Sequence, residues 1–306
     1  MKKVAILLLG SAVLTGCVPD DSGDSRASSS YIGAIEAVDV NSNTMTINSM
    51  PLSLANARIE LNGHYVNSNE LAAGMQVDVE YDNGVAYEVD IDPDIVGIAT
   101  NVTAATITVN GQVFKHANIA KDLVGTSIHR VMLFGYVNQA GEWNINAIHK
   151  EHSLLNVDLY EGKITSVPTS GSFVMGSMKV NYSNSSIDFD DRHELKRDAW
   201  VEVEGHYDVG TKVFTAYDVD VEDDLDLANA EVEGYITAVN ENKTSMTLNG
   251  RTKVTITEHT RFFTENIHGH DIVSDNSFLK KDAKVDVDLI YKNGALEATE
   301  IELDND

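Results

Sequence analysis

Residues 76–81 read Gln-Val-Asp-Val-Glu-Tyr, a strict alternation of apolar and acidic side chains. Residues 200–207, Trp-Val-Glu-Val-Glu-Gly-His-Tyr, and residues 284–291, Lys-Val-Asp-Val-Asp-Leu-Ile-Tyr, repeat this pattern. A period of two residues is typical of a β-strand that buries one face and exposes the other. The alternation therefore predicts three equivalent strands, and the units around them are expected to share one fold.

A turn and a further strand follow each of these stretches. A glycine comes three residues after each tyrosine, at Gly84, Gly210 and Gly294. In the first and last of these turns an asparagine precedes the glycine, and Asn-Gly tolerates the positive φ angles of a tight hairpin. Another part of the chain departs from the pattern, because residues 131–135, Val-Met-Leu-Phe-Gly, replace the acidic alternation. The pattern predicts a closing hairpin in each unit.

Four similar openings divide the chain into tandem units. Each opening contains a glycine, and successive glycines are 64, 65 and 72 residues apart: Gly33, Gly97, Gly162 and Gly234. A Thr- or Met-rich apolar run follows each opening, and recurrence at a fixed period indicates repeated structural units. We place four β-repeats at residues 31–93, 94–154, 155–229 and 230–306.

Each repeat has room for about five short strands, and no convincing helical periodicity is present. Residues 69–74 and 193–197 could each form a single helical turn before the fourth strand of their repeat. Five strands with a short helix between the third and fourth is the element order of an OB-like barrel. The predicted fold class is all-β, with four tandem small five-stranded OB-like barrels. Small open sandwiches are the alternative.

The first residues carry an export signal. Lys2 and Lys3 precede an apolar run at residues 4–14, which is shorter than the roughly 20 apolar residues of a membrane-spanning helix and suits a signal peptide. The run ends in Leu-Thr-Gly-Cys at residues 14–17, which resembles the lipobox of bacterial lipoproteins. The resemblance implies that residues 1–16 are removed and that Cys17 is lipidated.

This resemblance also implies a cellular location. Val18 stands where an aspartate favours inner-membrane retention in Gram-negative lipoproteins, so we expect an outer-membrane, lipid-anchored protein on the periplasmic or surface side. Residues 18–30 lack large apolar side chains after Val18, so residues 17–30 are predicted to comprise the lipidated cysteine and a flexible linker. The membrane is therefore an expected partner, through the lipid anchor.

The lipobox and the tandem units together resemble a family of uncharacterised β-rich repeat domains in bacterial envelope lipoproteins. The resemblance covers most of residues 31–304, and it implies no established activity.

The net charge, the cysteine count and the absence of catalytic motifs narrow the range of possible functions. The formal net charge is −26 at pH 7, and a field of that sign repels phosphate backbones, so we expect no nucleic-acid partner. Cys17 is the single cysteine, which leaves no disulfide and no cysteine-based metal site. No nucleophile elbow, zinc-protease motif or phosphate-binding loop is present.

We therefore expect a non-enzymatic binding or scaffolding protein that acts on an unknown envelope protein or glycan. The alternatives are an oligosaccharide or peptidoglycan binder that uses the OB-like face, and an envelope hydrolase with an unrecognised site.

Candidate ligand-binding residues are the tyrosines at the ends of the fourth strands, Tyr81, Tyr136, Tyr207 and Tyr291. Aromatic platforms of this kind bind sugars or bases in other OB folds. The competing interpretation is that each ring packs over its own hairpin.

Candidate metal ligands lie in the longest repeat. His268 and His270 point to one side if the segment is extended, and Asp271 follows them. With Glu265 and Asp275 they could form a nitrogen-and-oxygen site for zinc or copper. A solvated loop is the alternative, and no other cofactor is expected. Acidic stretches at residues 88–94 and 218–224 could suit calcium, but we interpret them as solvated strand ends and linkers.

Overall fold

The computed structural model describes residues 29–117, 123–125, 129–152, 157–183, 186–187, 194–222, 227–266 and 270–304. Within these ranges there is no helix of the length and apolar character needed to cross a bilayer. The predicted signal sequence, Cys17 and most of the predicted linker fall outside them. The described residues form four β-barrels, which we number in chain order.

Barrel 1 contains the first eight strands: β1 (Ser29–Ala34), β2 (Ala37–Asp39), β3 (Thr44–Ile47), β4 (Met50–Ser53), β5 (Arg58–Leu61), β6 (His64–Tyr65), β7 (Gln76–Asp82) and β8 (Val85–Ile91). A short 3-10 helix (Ser68–Glu70) precedes β7. Barrel 2 contains five strands: β9 (Ile95–Val102), β10 (Thr106–Val109), β11 (Gln112–His116), β12 (His129–Val137) and β13 (Trp143–Lys150).

Barrel 3 also contains five strands: β14 (Asp158–Lys163), β15 (Ser172–Met175), β16 (Met178–Asn181), β17 (Trp200–Asp208) and β18 (Val213–Val221). Barrel 4 contains seven: β19 (Glu231–Val239), β20 (Ser245–Leu248), β21 (Thr252–Thr255), β22 (Arg261–Glu265), β23 (Asp271–Val273), β24 (Lys284–Lys292) and β25 (Ala295–Leu303). A 3-10 helix (Asn276–Phe278) again precedes the penultimate strand.

The strand pairing is that of a closed OB-like barrel. In barrel 2, β9 pairs with β10, β10 with β11, β11 in parallel with β13, β13 with β12, and β12 again with β9. Barrel 4 closes the same circuit through β19, β20, β21, β25 and β24. The predicted all-β fold with small OB-like barrels is confirmed, and the open-sandwich alternative is wrong.

The acidic alternation sorts side chains between the two faces of each barrel wall. In β7 the valines Val77 and Val79 are fully buried in the barrel core, while Asp78 and Glu80 point outward. A β-bulge interrupts the corresponding strand of each barrel next to the hairpin, as between Glu204 and Gly205. Such bulges increase the local twist and help a short sheet to close.

One of these bulge positions requires glycine. A Cβ atom on Gly205 would lie 2.0 Å from the carbonyl oxygen of Thr215 on the neighbouring strand. Any side chain there would push the two strands apart.

The barrels are joined through their first strands. Strand β1 of barrel 1 pairs in parallel with β19 of barrel 4, through Tyr31 with Glu231 and Ile32 with Val232. Strand β9 of barrel 2 pairs with β14 of barrel 3. Sheets therefore run continuously from barrel 1 into barrel 4 and from barrel 2 into barrel 3.

The apolar cores also cross barrel boundaries. One buried cluster combines the interiors of barrels 2 and 3. A second combines the interior of barrel 1 with Met132 and Phe134 of barrel 2, which point outward from their own barrel. Each small barrel therefore buries part of its outer wall against a neighbour, which adds to the apolar area that its own core can bury.

Candidate functional site

The outer face of barrel 4 carries two rows of carboxylates. Strands β19, β24 and β25 lie side by side, so residues in register place their side chains on one face. The upper row is Glu233, Asp286 and Glu302, and the lower row is Glu231, Asp288 and Glu300. Like charges directly opposite each other on a sheet are destabilising, so this face requires compensation.

Barrel 1 covers one edge of this face. The hydroxyl of the fully buried Tyr31 donates a hydrogen bond to Glu233 Oε2 at 3.0 Å. Asn48, in the turn between β3 and β4, donates its side-chain amide to Glu231. These contacts join residues of the first and last barrels and remove Glu233 from solvent.

Two cations compensate part of the acidic charge. Lys284 lies 3.2 Å from Glu233 Oε2 and 2.5 Å from Asp304 Oδ2, and these carboxylates raise the pKa of Lys284 against the opposing effect of burial. Arg261 pairs with Glu300 at the other end of the face. Asp286 and Glu302 lie between these ion pairs and take part in neither of them.

Asp286 is the most unusual of these carboxyl groups. Its residue surface is 7% exposed, and its Oδ1 has no hydrogen-bond partner among the described residues. Burial, and then repulsion by Glu233 and Glu231, raises the pKa of Asp286 to about 9. A buried oxygen without a partner is costly, so this position calls for a specific explanation.

Asp286 opens into an acidic cleft between barrels 4 and 1. Barrel 4 contributes Glu265, Glu302 and Asp304 to the walls, and barrel 1 contributes Glu36 from the bend between β1 and β2. We call this the 1–4 cleft.

Three carboxylates converge beside Asp286. Ligand oxygens of Glu265, Asp271 and Glu302 all lie within 4.8 Å of one another. Glu265 and Asp271 are paired across the β22–β23 hairpin, and Glu302 arrives on β25, which runs parallel to β22. Burial, together with a hydrogen bond and repulsion from Asp271, raises the pKa of Glu302 to about 8. We call these residues the barrel-4 triad.

Barrel 1 contains a second cluster of three carboxylates, and an arginine contacts two of them. Ligand oxygens of Glu60, Glu88 and Asp90 also lie within 4.8 Å of one another. Arg58 lies among them, 2.6 Å from Glu60 and 3.0 Å from Glu88. We call Glu60, Glu88 and Asp90 the barrel-1 triad. Glu88 and Asp90 belong to the acidic stretch 88–94, which the sequence predicted to be solvated. Glu60 lies outside that stretch and is buried.

Barrel 3 buries its own outward carboxylate against barrel 4. Arg251, in the turn between β20 and β21, lies 2.6 Å from Glu161 and 2.7 Å from Glu222. The indole Nε1–H of Trp200 also donates to Glu161. Burial raises the pKa of Glu161 to about 7 despite the attraction of Arg251. This contact holds barrels 3 and 4 together.

The four predicted tyrosines occupy different environments. Tyr136 stacks on Tyr235 of barrel 4, with ring centroids 4.5 Å apart. The Tyr207 hydroxyl lies against Gly111 of barrel 2, and Tyr81 packs on the barrel 1 core. Tyr291 is 45% exposed. The structure therefore does not bring the four rings onto one common face, and their ligand-binding role stays a prediction.

The predicted metal ligands separate in a similar way. His268 lies outside the described residues, as does Cys17, the predicted lipidation site. His270 is exposed and its backbone pairs with Asn266, while Asp275 caps the following 3-10 helix by accepting from Ser277 N. Of the five residues that the sequence suggested for this site, Glu265 and Asp271 join the barrel-4 triad. The metal role of His268, His270 and Asp271 stays a prediction.

Sequence reasoning missed Tyr31, Asp286 and Glu302. A signal was available for the last two, because the stretch 284–291 and the residues around Glu302 carry acids at every second position. Their meeting with Glu265 depends on the parallel pairing of β22 with β25, which no local pattern reveals.

Comparison with known proteins matches two of the four units to a described domain. Residues 161–220 and 233–302 each match a family described as a domain of unknown function, DUF5666. These two matches fit the prediction of an uncharacterised repeat domain. The comparison with curated proteins gave no match.

One solved structure is similar over 67% of this chain and 72% of its own length, at 10% identity and a TM-score of 0.18. It is described as a multidomain protein with nucleic acid binding domains from Streptococcus pneumoniae TIGR4. That description conflicts with our expectation of no nucleic-acid partner, and we withdraw this expectation, which rested on the net charge alone. Phosphates are contacted by local groups, so the net charge of a whole chain does not decide the matter. The TM-score is too low to indicate that this chain shares the fold or the binding property.

Proposed function

We propose that this chain is a non-enzymatic lipoprotein of the bacterial envelope, tethered through lipid on Cys17, whose joined barrels act as a binding or scaffolding unit. The export signal and the lipobox-like residues 14–17 support the tether. At about 0.8 kcal/mol per buried methylene, more than one acyl chain gives a stable anchor. The proposed location is the outer membrane, on its periplasmic or surface side.

The observation that carries the scaffolding role is the pairing of first strands between barrels. Pairing of β1 with β19 and of β9 with β14 uses strand edges that would otherwise be free to pair with other chains. Barrel interiors are filled by apolar side chains such as Met45, Phe114 and Phe173. The carboxylate clusters described above lie on outer walls and at junctions between barrels, which suits binding on a surface more than catalysis in a pocket.

Crosslinking in the native envelope, followed by identification of captured proteins, tests the scaffolding role. We expect capture of a defined envelope partner by the wild-type chain and loss of that partner for Cys17→Ala. Retention of the Cys17→Ala variant in the membrane with persistent lipid labelling would contradict the anchor.

An activity screen separates this proposal from the hydrolase alternative. The full chain is assayed against generic ester, glycoside, peptide and phosphate substrates. We expect no turnover above background, and robust turnover abolished by a single substitution would overturn the non-enzymatic assignment. Binding to sacculi that is lost in Tyr291→Ala and kept in Tyr136→Ala would instead identify peptidoglycan as the ligand.

A further inference from the structure

We propose that the barrel-4 triad, Glu265, Asp271 and Glu302, binds a calcium ion in the 1–4 cleft. This site is independent of the lipid anchor and of the scaffolding role. It would add a hard-cation site at the junction of the first and last barrels.

The geometry of the triad suits one shared ion. The three carboxylates come from three strands, and their oxygens already lie within 4.8 Å of one another. Two oxygens that bind the same Ca²⁺ at 2.3–2.6 Å lie at most about 5 Å apart, so the triad can bind one ion without backbone movement. The β22–β23 hairpin and the parallel pairing of β22 with β25 fix the three positions.

Asp286 is the independent observation that points to a ligand. It is next to Glu302 in the β24–β25 register and lines the same cleft. Among the described residues its buried Oδ1 has no hydrogen-bond partner. A cation held by Glu302 would supply the missing partner and offset the cost of burying this oxygen.

The ligand chemistry selects the kind of ion. Carboxylates of the triad, of Asp286 and of Glu36 offer oxygen only, and oxygen-rich sites favour hard cations over zinc or copper. Ca²⁺ accepts six to eight oxygens in flexible geometry, whereas Mg²⁺ demands a near-ideal octahedron. Walls contributed by two separate barrels suit the more tolerant ion.

Among the described residues, the two nearby cations do not pair with the carboxylates of the barrel-4 triad. Lys284 is engaged by Glu233 and Asp304, and Arg261 is engaged by Glu300. In the barrel-1 triad, by contrast, Arg58 contacts two of the three carboxylates. The chain thus provides its own control, with the same carboxylate number and a resident guanidinium.

Calorimetric titration of the full chain with CaCl₂ tests the site. We expect one saturable site with a dissociation constant on the order of 0.1–1 mM, the range of weak extracellular calcium modules. Glu302→Gln keeps the volume and hydrogen bonding of the side chain and should weaken binding at least tenfold. The matched control Glu88→Gln, in the barrel-1 triad, should leave the affinity within twofold of wild type.

Circular dichroism establishes that each variant is folded. If Glu302→Gln does not fold, Glu265→Gln, at the partly exposed edge of the triad, replaces it with the same expected loss. Absence of saturable binding up to 10-fold above the expected range would overturn the proposal. Equal affinity in wild type and triad variants would also overturn it, since binding would then come from the diffuse acidic surface. Preferential binding of ZnCl₂ that is insensitive to Glu302→Gln would overturn the choice of ion and ligands.

Discussion

Barrels 1 and 4 carry the same arrangement of outward carboxylates and compensate it in different ways. Asp78 and Asp90 of barrel 1 are in register on β7 and β8, as Asp286 and Glu302 are on β24 and β25. An arginine starts the strand beside each set, Arg58 in one barrel and Arg261 in the other. Arg58 reaches into the barrel-1 triad, whereas Arg261 pairs with Glu300 in the lower row.

The difference follows from the residue two places after each arginine. In barrel 1 this residue is Glu60, which joins the carboxylates and draws Arg58 inward. In barrel 4 it is Phe263, and Arg261 lies over its ring. Two acids of the barrel-4 triad, Glu265 and Asp271, come instead from the longer β22–β23 hairpin. Repeats with the same strands can thus differ in binding chemistry through one substitution and one insertion.

Tyr31→Ala is expected to have the largest effect on the junction between these barrels. Removal of a fully buried aromatic side chain costs about 3–5 kcal/mol, because it leaves a cavity and here also leaves Glu233 without its hydroxyl donor. Urea unfolding measures the change. Tyr235→Ala, at a half-buried ring on the same face of barrel 4, is the comparison and should cost less. Equal losses of unfolding free energy in the two variants would show that Tyr31 contributes no more to stability than a half-buried tyrosine.

The buried acids predict a second effect, on the pH dependence of stability. Burial raises the pKa of Asp78 to about 6 and that of Glu231 to about 7, above the values of an unfolded chain. The folded chain therefore holds more protons between about pH 4 and 7, and the stability that this provides is lost as pH rises through the folded pKa values. We expect unfolding to be harder at pH 5 than at pH 8, by about 1–2 kcal/mol after solvent screening.

Thermal melts across this range measure the slope, and Glu231→Gln should flatten it. A chain that becomes more stable from pH 5 to pH 8 would contradict the burial of these carboxyls at the junction.

Arg58→Gln should convert barrel 1 into a second version of barrel 4. The side chain is 48% exposed, so we expect only a modest loss of stability. The barrel-1 triad would then lack its resident cation, and calcium titration should show a second site. Arg58→Lys keeps the charge and should show one site. A single calcium site in both variants would show that Arg58 is not what prevents the barrel-1 triad from binding calcium.

The smallest effect is expected at Tyr291. Tyr291 precedes its hairpin glycine by three residues, as Tyr81 does, but in β24 the residue after the bulge is Leu289 and Tyr291 is exposed. Tyr81 follows the bulge directly and packs on the barrel 1 core. Tyr291→Ala should change stability by less than about 0.5 kcal/mol, and Tyr81→Ala should cost clearly more. Denaturant midpoints of the two variants provide the measurement, and a reversed order would show that the terminal hairpins pack differently.

Local patterns predicted the barrels because each OB-like unit is built from hairpins. The alternation at residues 76–81 placed β7, and the Asn-Gly turn at residues 83–84 placed β8. The same alternation implies a solvent-exposed acidic face, and that part of the prediction is wrong for Glu202 and Asp286, which are buried. Pairing of β1 with β19 joins residues about two hundred positions apart, and no local signal encodes it.

A clue to burial of the outer walls was present in the second repeat. Residues 131–135 are apolar at every position except the glycine, and a strand with both faces apolar indicates burial on both sides. Met132 and Phe134 indeed pack outward on barrel 1. For the candidate site, Glu265 and Asp271 could be placed together from the loop that joins them. Glu302 could not, because it reaches them through a non-local parallel strand.

A double-mutant cycle between Tyr31 and Glu233 tests the junction of barrels 1 and 4 most directly. Tyr31→Phe, Glu233→Gln and the double variant are compared with wild type by urea unfolding of the full chain. The 3.0 Å hydrogen bond between these residues predicts a coupling free energy of about 1 kcal/mol or more. Additivity within about 0.3 kcal/mol would show that the two side chains do not meet, and the account of a joined first and fourth barrel would be wrong.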